Sequence, residues 1–276
     1  MKRRGEGTPE DARRKAAVTY DAASDAYDHP ANSFWSRFGT RTVERLSLTS
    51  GERVLDVCCG SGASAIPAAL AVGPRGRVIG VDLAANLLAL ARKKAEELGL
   101  ENLELRTGDM LALDLDDSSF DAAQCVFGIF FVPDMPSAVR ELWRLVRPGG
   151  RLAITTWGPR LFEPVNSVFW RAVGERRPEL QRSFNPWDRI TEPPAVRALL
   201  AEGGVRECEV EAESAMHPIS SSGDWWALVL GSGYRGTVEQ LSSADRAHVQ
   251  EACAAFIRAE RVREVEANVV FAVARK

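Results

Sequence analysis

A glycine-rich turn that joins a short apolar strand to a helix is the feature that most limits how this chain can fold. The strand is predicted over Arg53–Val57, the turn contains Gly60-Ser61-Gly62, and residues 63–72 form the predicted helix. Glycines at such a turn allow a tight bend and let a ligand approach the backbone closely. The pattern therefore predicts an α/β fold whose first strand leads into a ligand site.

The rest of the chain repeats this alternation of strand and helix. Further strands are predicted at 77–81, 102–107, 120–127, 152–156, 205–213 and 267–274, and helices at 84–98, around 139–146 and at 193–203. Apolar strands separated by amphipathic helices are typical of a parallel sheet covered on both faces. We therefore predict a doubly wound, Rossmann-like α/β sheet of seven strands.

Three aromatic-rich stretches interrupt this pattern. They precede the first strand (16–48), follow the fifth strand (about 159–190) and separate the last two strands (about 218–264). Because open α/β sheets bind ligands at the carboxyl ends of their strands, we interpret these stretches as a substrate-shaping lid, with packing onto the sheet as the alternative. The predicted division is a disordered tail at 1–15, an N-terminal helical lid at 16–48, and a main domain at 49–276 that carries the two insertions.

Composition and charge narrow the class of protein. The net charge of −3 gives no general attraction for nucleic acid, and no apolar run is long enough to cross a bilayer. The five cysteines are scattered, and adjacent Cys58 and Cys59 diverge along a strand, so neither a disulfide framework nor a metal site is expected. These features favour a cytoplasmic protein that acts on a small molecule, while its oligomeric state stays open.

Carboxylates occur at the ends of three successive strands. Asp56 precedes the glycines, Asp82 follows the second strand, and Asp109 with Met110 follows the third. A dinucleotide would bring a pyrophosphate to the helix N-terminus, where Asp56 would repel it, whereas a sulfonium and an ammonium would be attracted. Asp82 suits ribose hydroxyls and Asp109 with Met110 suits an adenine, the alternatives being a helix-start acid and an ordinary turn. The three acids together favour S-adenosylmethionine over NAD.

Residues from about 52 to 157 resemble the class I S-adenosylmethionine-dependent methyltransferases, and within them the ubiquinone/menaquinone-biosynthesis (methyltransferase type 11-like) family. The matching segments are Val54-Leu-Asp-Val-Cys-Cys-Gly-Ser-Gly62, Gly80-Val-Asp82, Gly108-Asp-Met110, Phe120-Asp121, Phe127-Gly128 and Leu145-Val-Arg-Pro-Gly-Gly-Arg-Leu152. The resemblance implies a seven-stranded sheet with an antiparallel last strand. Two departures are Cys58, where the family usually has glycine, and residues 159–264, which do not match the family's substrate-binding portions clearly.

The resemblance also implies a set of cofactor-binding residues. In this set Asp56, Gly60 and Gly62 hold the methionine portion, Asp82 and Leu83 the ribose and adenine, and Asp109 and Met110 the adenine, while Val126 and Phe127 face the cofactor and Cys59 is a further cofactor-binding residue. The segment from Tyr20 to Asp28 resembles the family's lid over the methionine end. These assignments are expectations that come from the family's motifs.

The expected chemistry is methyl transfer to an O, N or C atom of a small, largely apolar metabolite. Phe130, Phe131 and Trp157 are candidate substrate contacts because they lie at the ends of the fourth and fifth strands, with core packing as the alternative. His29, in the predicted lid, is the candidate base, although a surface or packing role would also explain it. An NAD-dependent oxidoreductase and a non-catalytic S-adenosylmethionine-binding protein remain alternative functions.

Overall fold

The structure, a computed structural model, describes residues 9–182 and 184–276. Its strands are β1 (Arg53–Val57), β2 (Arg77–Asp82), β3 (Leu103–Thr107), β4 (Phe120–Val126), β5 (Val146–Trp157), β6 (Cys208–Glu213), β7 (Met216–Pro218), β8 (Glu264–Glu266) and β9 (Val269–Arg275). The main sheet has seven strands in the order β3-β2-β1-β4-β5-β9-β6. Its first five strands are parallel, and β9 runs antiparallel to β5 and β6. The predicted fold class is confirmed, whereas the small β7–β8 pair was not predicted.

Helices cover both faces of the sheet and its carboxyl edge. They are α1 (Pro9–Tyr27), α2 (Phe34–Leu46), α3 (Ala65–Val72), α4 (Ala85–Glu97), α5 (Met135–Leu145), α6 (Val165–Arg176), α7 (Pro193–Glu202), α8 (Ser222–Leu230), α9 (Arg235–Val238) and α10 (Ser243–Ala259). None of the described helices is long and apolar enough to cross a membrane.

The predicted disordered tail at 1–15 is too long. Helix α1 begins at Pro9, so residues 9–15 are helical, while residues 1–8 lie outside the described part of the chain. Proline is well tolerated at a first helical position, and the Ala-Arg-Arg-Lys-Ala-Ala run at 12–17 consists of strong helix formers. Helix propensity in this charged segment therefore outweighs the polarity from which a tail was inferred.

The N-terminal helices lie on the carboxyl edge of the sheet. Helix α2 buries an aromatic face, Phe34, Trp35 and Phe38, against Phe127 and Trp157 at the ends of β4 and β5. Helix α1 packs against α4, α8 and α9. The predicted lid segment 16–48 and the insertion 218–264 thus contact each other above the strand ends, where ligands bind in open α/β folds.

Candidate functional site

A cavity lies at the carboxyl ends of the first four strands, beneath α1. Its enclosed part measures about 80 Å³, and the space including its open mouth about 720 Å³. The predicted site residues that line it are Gly60, Asp82, Leu83, Asp109, Met110, Val126, Phe127 and Phe131. The structure therefore brings together one turn, three strand ends and part of the predicted aromatic contacts.

Several lining residues were not among the predicted site residues. They are Ala16, Ala17, Tyr20, Tyr27, Trp35, Cys58, Val81, Ala84, Leu87, Gly108 and Val132. Tyr20 and Tyr27 lie in the segment that resembles the family's lid, and Ala16, Ala17 and Trp35 lie in the predicted lid at 16–48, so the lid prediction was the signal that could have identified them. Trp35 is stacked on Tyr27, and Tyr20 contacts Phe131 edge-on, with ring centroids 5.1 and 5.5 Å apart respectively.

Polar contacts hold the end of α1 against the glycine-rich turn. The Ser61 hydroxyl donates to Asp28 Oδ1 at 2.7 Å, and Lys94 Nζ lies 2.9 Å from Asp28 Oδ2. At the start of α4, the Asn86 N–H donates to Asp21 Oδ1 at 2.8 Å. Because these pairs are partly exposed, their main effect is to fix the register of α1 over the cavity.

Asp82 is the carboxylate most directly placed in the cavity. Its Oδ2 accepts the Gly60 N–H and its Oδ1 accepts the Ala84 N–H, each at 2.8 Å. Gly60 has a φ of +52°, which glycine adopts at little cost. Burial raises the pKa of Asp82 and these backbone hydrogen bonds oppose the rise. Each carboxylate oxygen retains a lone pair that a ligand hydroxyl in the cavity can use.

The electrostatics of this turn are unfavourable for a pyrophosphate. The Gly60 N–H, which could otherwise bind a phosphate oxygen, is taken by Asp82. The buried Asp56 of β1 accepts a hydrogen bond from Ser64, which lies at the start of α3 where a phosphate would otherwise bind. Among the described residues that line the cavity there are two carboxylates, Asp82 and Asp109, and no Lys, Arg or His. The cavity therefore suits a ligand with positive charge and hydroxyl groups.

The backbone conformation at Cys58 explains why the family usually has glycine at this position. Its φ is +57°, in the left-handed region that costs a side-chain-bearing residue roughly 1–2 kcal/mol. Its thiol lines the cavity and lies 3.8 Å from the Met110 sulfur. The substitution thus keeps the turn and adds a polarizable contact beside Met110.

Asp56 supports the turn from behind and does not line the cavity. Its Oδ2 accepts hydrogen bonds from Ser64 Oγ at 2.7 Å and from Gln124 Nε2 at 2.9 Å. Asp56 is fully buried, and this burial raises the pKa of its carboxyl to about 7. The carboxyl therefore connects β1, β4 and the start of α3, and its predicted role in holding the methionine portion, directly or through water, stays a prediction.

The pH dependence of stability tests this view of Asp56. Because its pKa is about 7 in the fold and about 3.9 in unfolded chains, only the folded state keeps the proton between these values. The ionisation of Asp56 in the unfolded state therefore lowers the stability of the fold progressively as the pH rises from about 4 to 7, by at most roughly 4 kcal/mol. We expect Asp56→Asn, which keeps an acceptor for Ser64 and Gln124, to gain stability relative to the parent as the pH rises.

Urea unfolding of both proteins at mildly acidic and mildly alkaline pH measures this gain. Asp116→Asn, at an exposed position, is the matched control and is expected to change stability little at either pH. An Asp56→Asn difference that is the same at both pH values would rule out a raised pKa at this site.

Cys59 and Gly62 also lie behind the cavity. The Cys59 N–H donates to the Val81 carbonyl at 3.2 Å, and its buried sulfur lies against Gly80. A Cβ on Gly62 would lie 2.9 Å from Ile66 Cδ1, so this glycine permits close packing of the turn on α3. Their predicted contact with the cofactor stays a prediction, and their observed contacts hold the turn in shape.

A second, smaller cavity of about 20 Å³ adjoins the first and accounts for Trp157. It shares Tyr20 and Trp35 with the first cavity and is lined by Trp157 on its inner side. Trp157 is stacked on Phe127 with ring centroids 3.9 Å apart, which places these two predicted residues on neighbouring cavities. Phe130 is buried against Phe131 and Trp187 and lines neither cavity.

His29, the predicted base, is exposed and lines neither cavity. Its Nδ1 accepts the Ala31 N–H at 3.1 Å and so caps the short 3₁₀ helix Pro30–Asn32. Its catalytic role stays a prediction, and this placement favours the alternative structural role.

The arrangement of strands and helices is shared with a solved methyltransferase. Phosphoethanolamine N-methyltransferase 2 of Haemonchus contortus, solved with S-adenosylhomocysteine, has a TM-score of 0.60 at 18% identity, covering 98% of this chain and 60% of that chain. The protein therefore has the Rossmann-like methyltransferase fold.

Sequence comparison defines the family within this class. Residues 8–169 match the model of the ubiE/COQ5 methyltransferase family, and the chain belongs to that family, as the motifs indicated. The demethylmenaquinone methyltransferase of Oceanobacillus iheyensis is 36% identical over 143 residues, or 51% of this chain and 59% of that protein. The Listeria welshimeri protein of the same name is 34% identical over 162 residues, or 58% and 67%. The chain thus spans less than two thirds of the Oceanobacillus relative.

Proposed function

We propose that the protein transfers the methyl group of S-adenosylmethionine to a small, largely apolar metabolite. The observation that carries this proposal is the cavity at the strand ends, which offers Asp82 and Asp109 to a ligand and, among its described lining residues, no basic side chain. Family membership and the named relatives support the same activity. Asp82 would bind the ribose hydroxyls, Asp109 and Met110 the adenine, and the turn at Gly60 the methionine portion.

The bound cofactor would supply an electrophilic methyl group on a sulfonium. The work of this chain is then to orient the acceptor and to exclude water. Tyr20, Tyr27 and Trp35 separate the cavity from solvent beneath α1 and provide an apolar surface beside the cofactor position. Positioning of this kind does not require a base from the chain, so the exposed position of His29 is compatible with the activity.

The alternative functions are less well supported. A nicotinamide dinucleotide would have to place its pyrophosphate beside Asp82 and Asp56, where the Gly60 N–H is already bonded. A non-catalytic binding protein is not favoured by the comparisons, because the matching family and the named relatives are methyltransferases. The five free cysteines favour a reducing compartment, and we therefore propose a cytoplasmic location.

Two measurements test the activity in order. Calorimetry is expected to show binding of S-adenosylmethionine and S-adenosylhomocysteine, and no binding of NADH, to the purified protein. Radiolabelled methyl transfer is then measured with a panel of phenols, quinols and apolar amines, in which the quinols follow the demethylmenaquinone in the relatives' names. Binding of NADH would contradict the proposal. So would binding of S-adenosylmethionine without methyl transfer to any member of the panel.

A further inference from the structure

Three sulfur atoms from separate parts of the chain meet at one wall of the cavity at the strand ends, which is the proposed cofactor cavity. Cys58 follows β1, Met110 follows β3, and Cys125 lies near the end of β4. The Cys58 and Met110 sulfurs are 3.8 Å apart, and both residues line the cavity. Cys125 is the strand partner of Val57, which precedes Cys58. The parallel sheet therefore assembles a sulfur cluster, Cys58, Met110 and Cys125, from residues that are far apart in sequence.

Gly128 leaves the space in which the two thiols of the sulfur cluster meet. A Cβ on this glycine would lie 2.7 Å from the Cys58 sulfur and 2.9 Å from the Cys125 sulfur. A hydrogen bond with the Cys125 thiol and burial both raise the pKa of the Cys58 thiol. Cys125 is fully buried, whereas Cys58 is partly exposed. The two thiols are therefore in contact, and the cavity gives access to them on the Cys58 side.

The ligand atoms that this cluster offers are all sulfur. Among the residues that the structure describes, no three His, Cys, Asp or Glu side chains are arranged to hold a metal ion. Zinc, which takes four ligands in structural sites, and calcium and magnesium, which take oxygen ligands, are therefore poorly suited to this place. Thiolates together with a thioether select soft cations, of which copper(I) is the example.

The spacing and the backbone of the cluster also suit such a cation. Sulfurs bonded at about 2.3 Å to a trigonal ion lie about 4 Å from one another, and the Cys58 and Met110 sulfurs are 3.8 Å apart. The enclosed part of the cavity, about 80 Å³, has room for one ion. Cys58 has a φ of +57°, a conformation in which the family's usual glycine would be less strained. This chain therefore places a thiol at the cavity at a conformational cost.

We propose that the sulfur cluster binds one soft, thiophilic cation of the copper(I) class, which both cysteines and Met110 hold at the wall of the cofactor cavity. Each thiol releases its proton to solvent when the ion binds, so that two thiolates and a neutral thioether surround one positive charge. Met110 is also the residue proposed to bind the adenine, so the ion competes with the cofactor. The cation site itself is independent of the proposed methyl transfer, and only the competition rests on it.

Titration of the reduced protein with copper(I), without oxygen and in competition with the chromophoric chelator bicinchoninate, tests the site. The parent protein is expected to bind one ion with an affinity that rises with pH, because both thiols release protons. Cys58→Gly relieves the left-handed backbone and is expected to weaken binding by at least about a hundredfold, since even a lost outer partner of a ligand costs roughly 10–100-fold. Met110→Leu is expected to weaken binding less, because both thiols remain.

Cys208→Ser is the matched control, because Cys208 is a partly exposed cysteine on β6 that does not line the cavity. It should bind copper(I) like the parent. Thermal unfolding of each variant separates a lost site from misfolding. Equal copper(I) affinities of the parent and Cys58→Gly, an equal loss in Cys208→Ser, or an affinity that does not change with pH would overturn the proposal.

Calorimetry with S-adenosylhomocysteine tests the competition separately. One equivalent of copper(I) is expected to weaken S-adenosylhomocysteine binding to the parent by at least about fivefold, and S-adenosylhomocysteine to weaken copper(I) binding by the same factor, because such coupling is reciprocal. Copper(I) should not alter S-adenosylhomocysteine binding to Cys58→Gly. A parent protein that binds both ligands without mutual effect would refute the competition. A parent that binds copper(I) but not S-adenosylhomocysteine would support the cation site and refute the proposed methyl transfer.

Discussion

Asp82→Ala is expected to lower S-adenosylmethionine affinity by about a hundredfold or more. In the structure this carboxylate holds the Gly60 and Ala84 N–H groups and still faces the cavity. Its removal deletes the acceptor for the ribose hydroxyls and leaves two backbone donors near the ligand unpaired. Hydrogen bonds to a charged group contribute roughly 1.5–3 kcal/mol each, and about 1.4 kcal/mol corresponds to a tenfold change in affinity.

Calorimetric titration with S-adenosylhomocysteine measures this loss directly. Asp82→Asn is expected to lose less, because its amide oxygen can still accept one of the two backbone hydrogen bonds. Asp116→Ala, at an exposed site outside the cavity, should bind like the parent protein. Thermal unfolding of each variant separates a binding defect from misfolding. An Asp82→Ala affinity within threefold of the parent would exclude Asp82 as the ribose-binding group.

The strand-end residues of the site could be predicted because local sequence and topology together determine them. Asp82 ends β2 and Asp109 follows β3, and parallel neighbouring strands bring their carboxyl ends to one edge. Phe127 follows β4 in the same way. In each case the position of the residue at a strand end was sufficient to predict that it lies at the cavity.

Side-chain direction was the part that strand position did not determine. Asp56 lies one residue before the end of β1, and its carboxyl turns towards Ser64 and Gln124, away from the cavity. Trp157, the last residue of β5, lies beyond Phe127 and so faces the second cavity. His29 is close in sequence to Tyr27, yet its ring turns back to cap a short helix. The direction of each of these side chains depends on single hydrogen bonds and on aromatic rings from distant segments.

The second cavity was beyond sequence reasoning because distant segments build it. Arg182 precedes a short 3₁₀ helix, Tyr234 lies next to α9, and Tyr20 is in α1. Only the packing of the N-terminal helices against the insertions brings these residues together. The ion pair between Asp25 of α1 and Arg235 of α9, at 3.1 Å, is one contact that joins the two parts. The docking of α1 and α2 is therefore a requirement for both cavities.

Gly39→Ala tests this requirement and is expected to destabilise the protein by about 2–4 kcal/mol. A Cβ at position 39 would lie 2.2 Å from the Ala63 carbonyl oxygen, which belongs to the backbone after the glycine-rich turn. Helix α2 would have to move away from this turn, and Trp35 would move with it. The better helix propensity of alanine offsets only about 1 kcal/mol of this destabilisation.

Thermal unfolding is expected to show a fall in Tm of about 5–10 °C for Gly39→Ala, together with weaker binding of S-adenosylhomocysteine. Gly223→Ala is the matched control, since Gly223 is also helical and exposed, and its nearest neighbour would be the Ser221 hydroxyl at 3.3 Å. That variant should be neutral or slightly more stable. Equal Tm values for the two variants would mean that α2 does not need close contact with the turn. A Tm loss without a binding loss would mean that the cofactor cavity forms independently of α2.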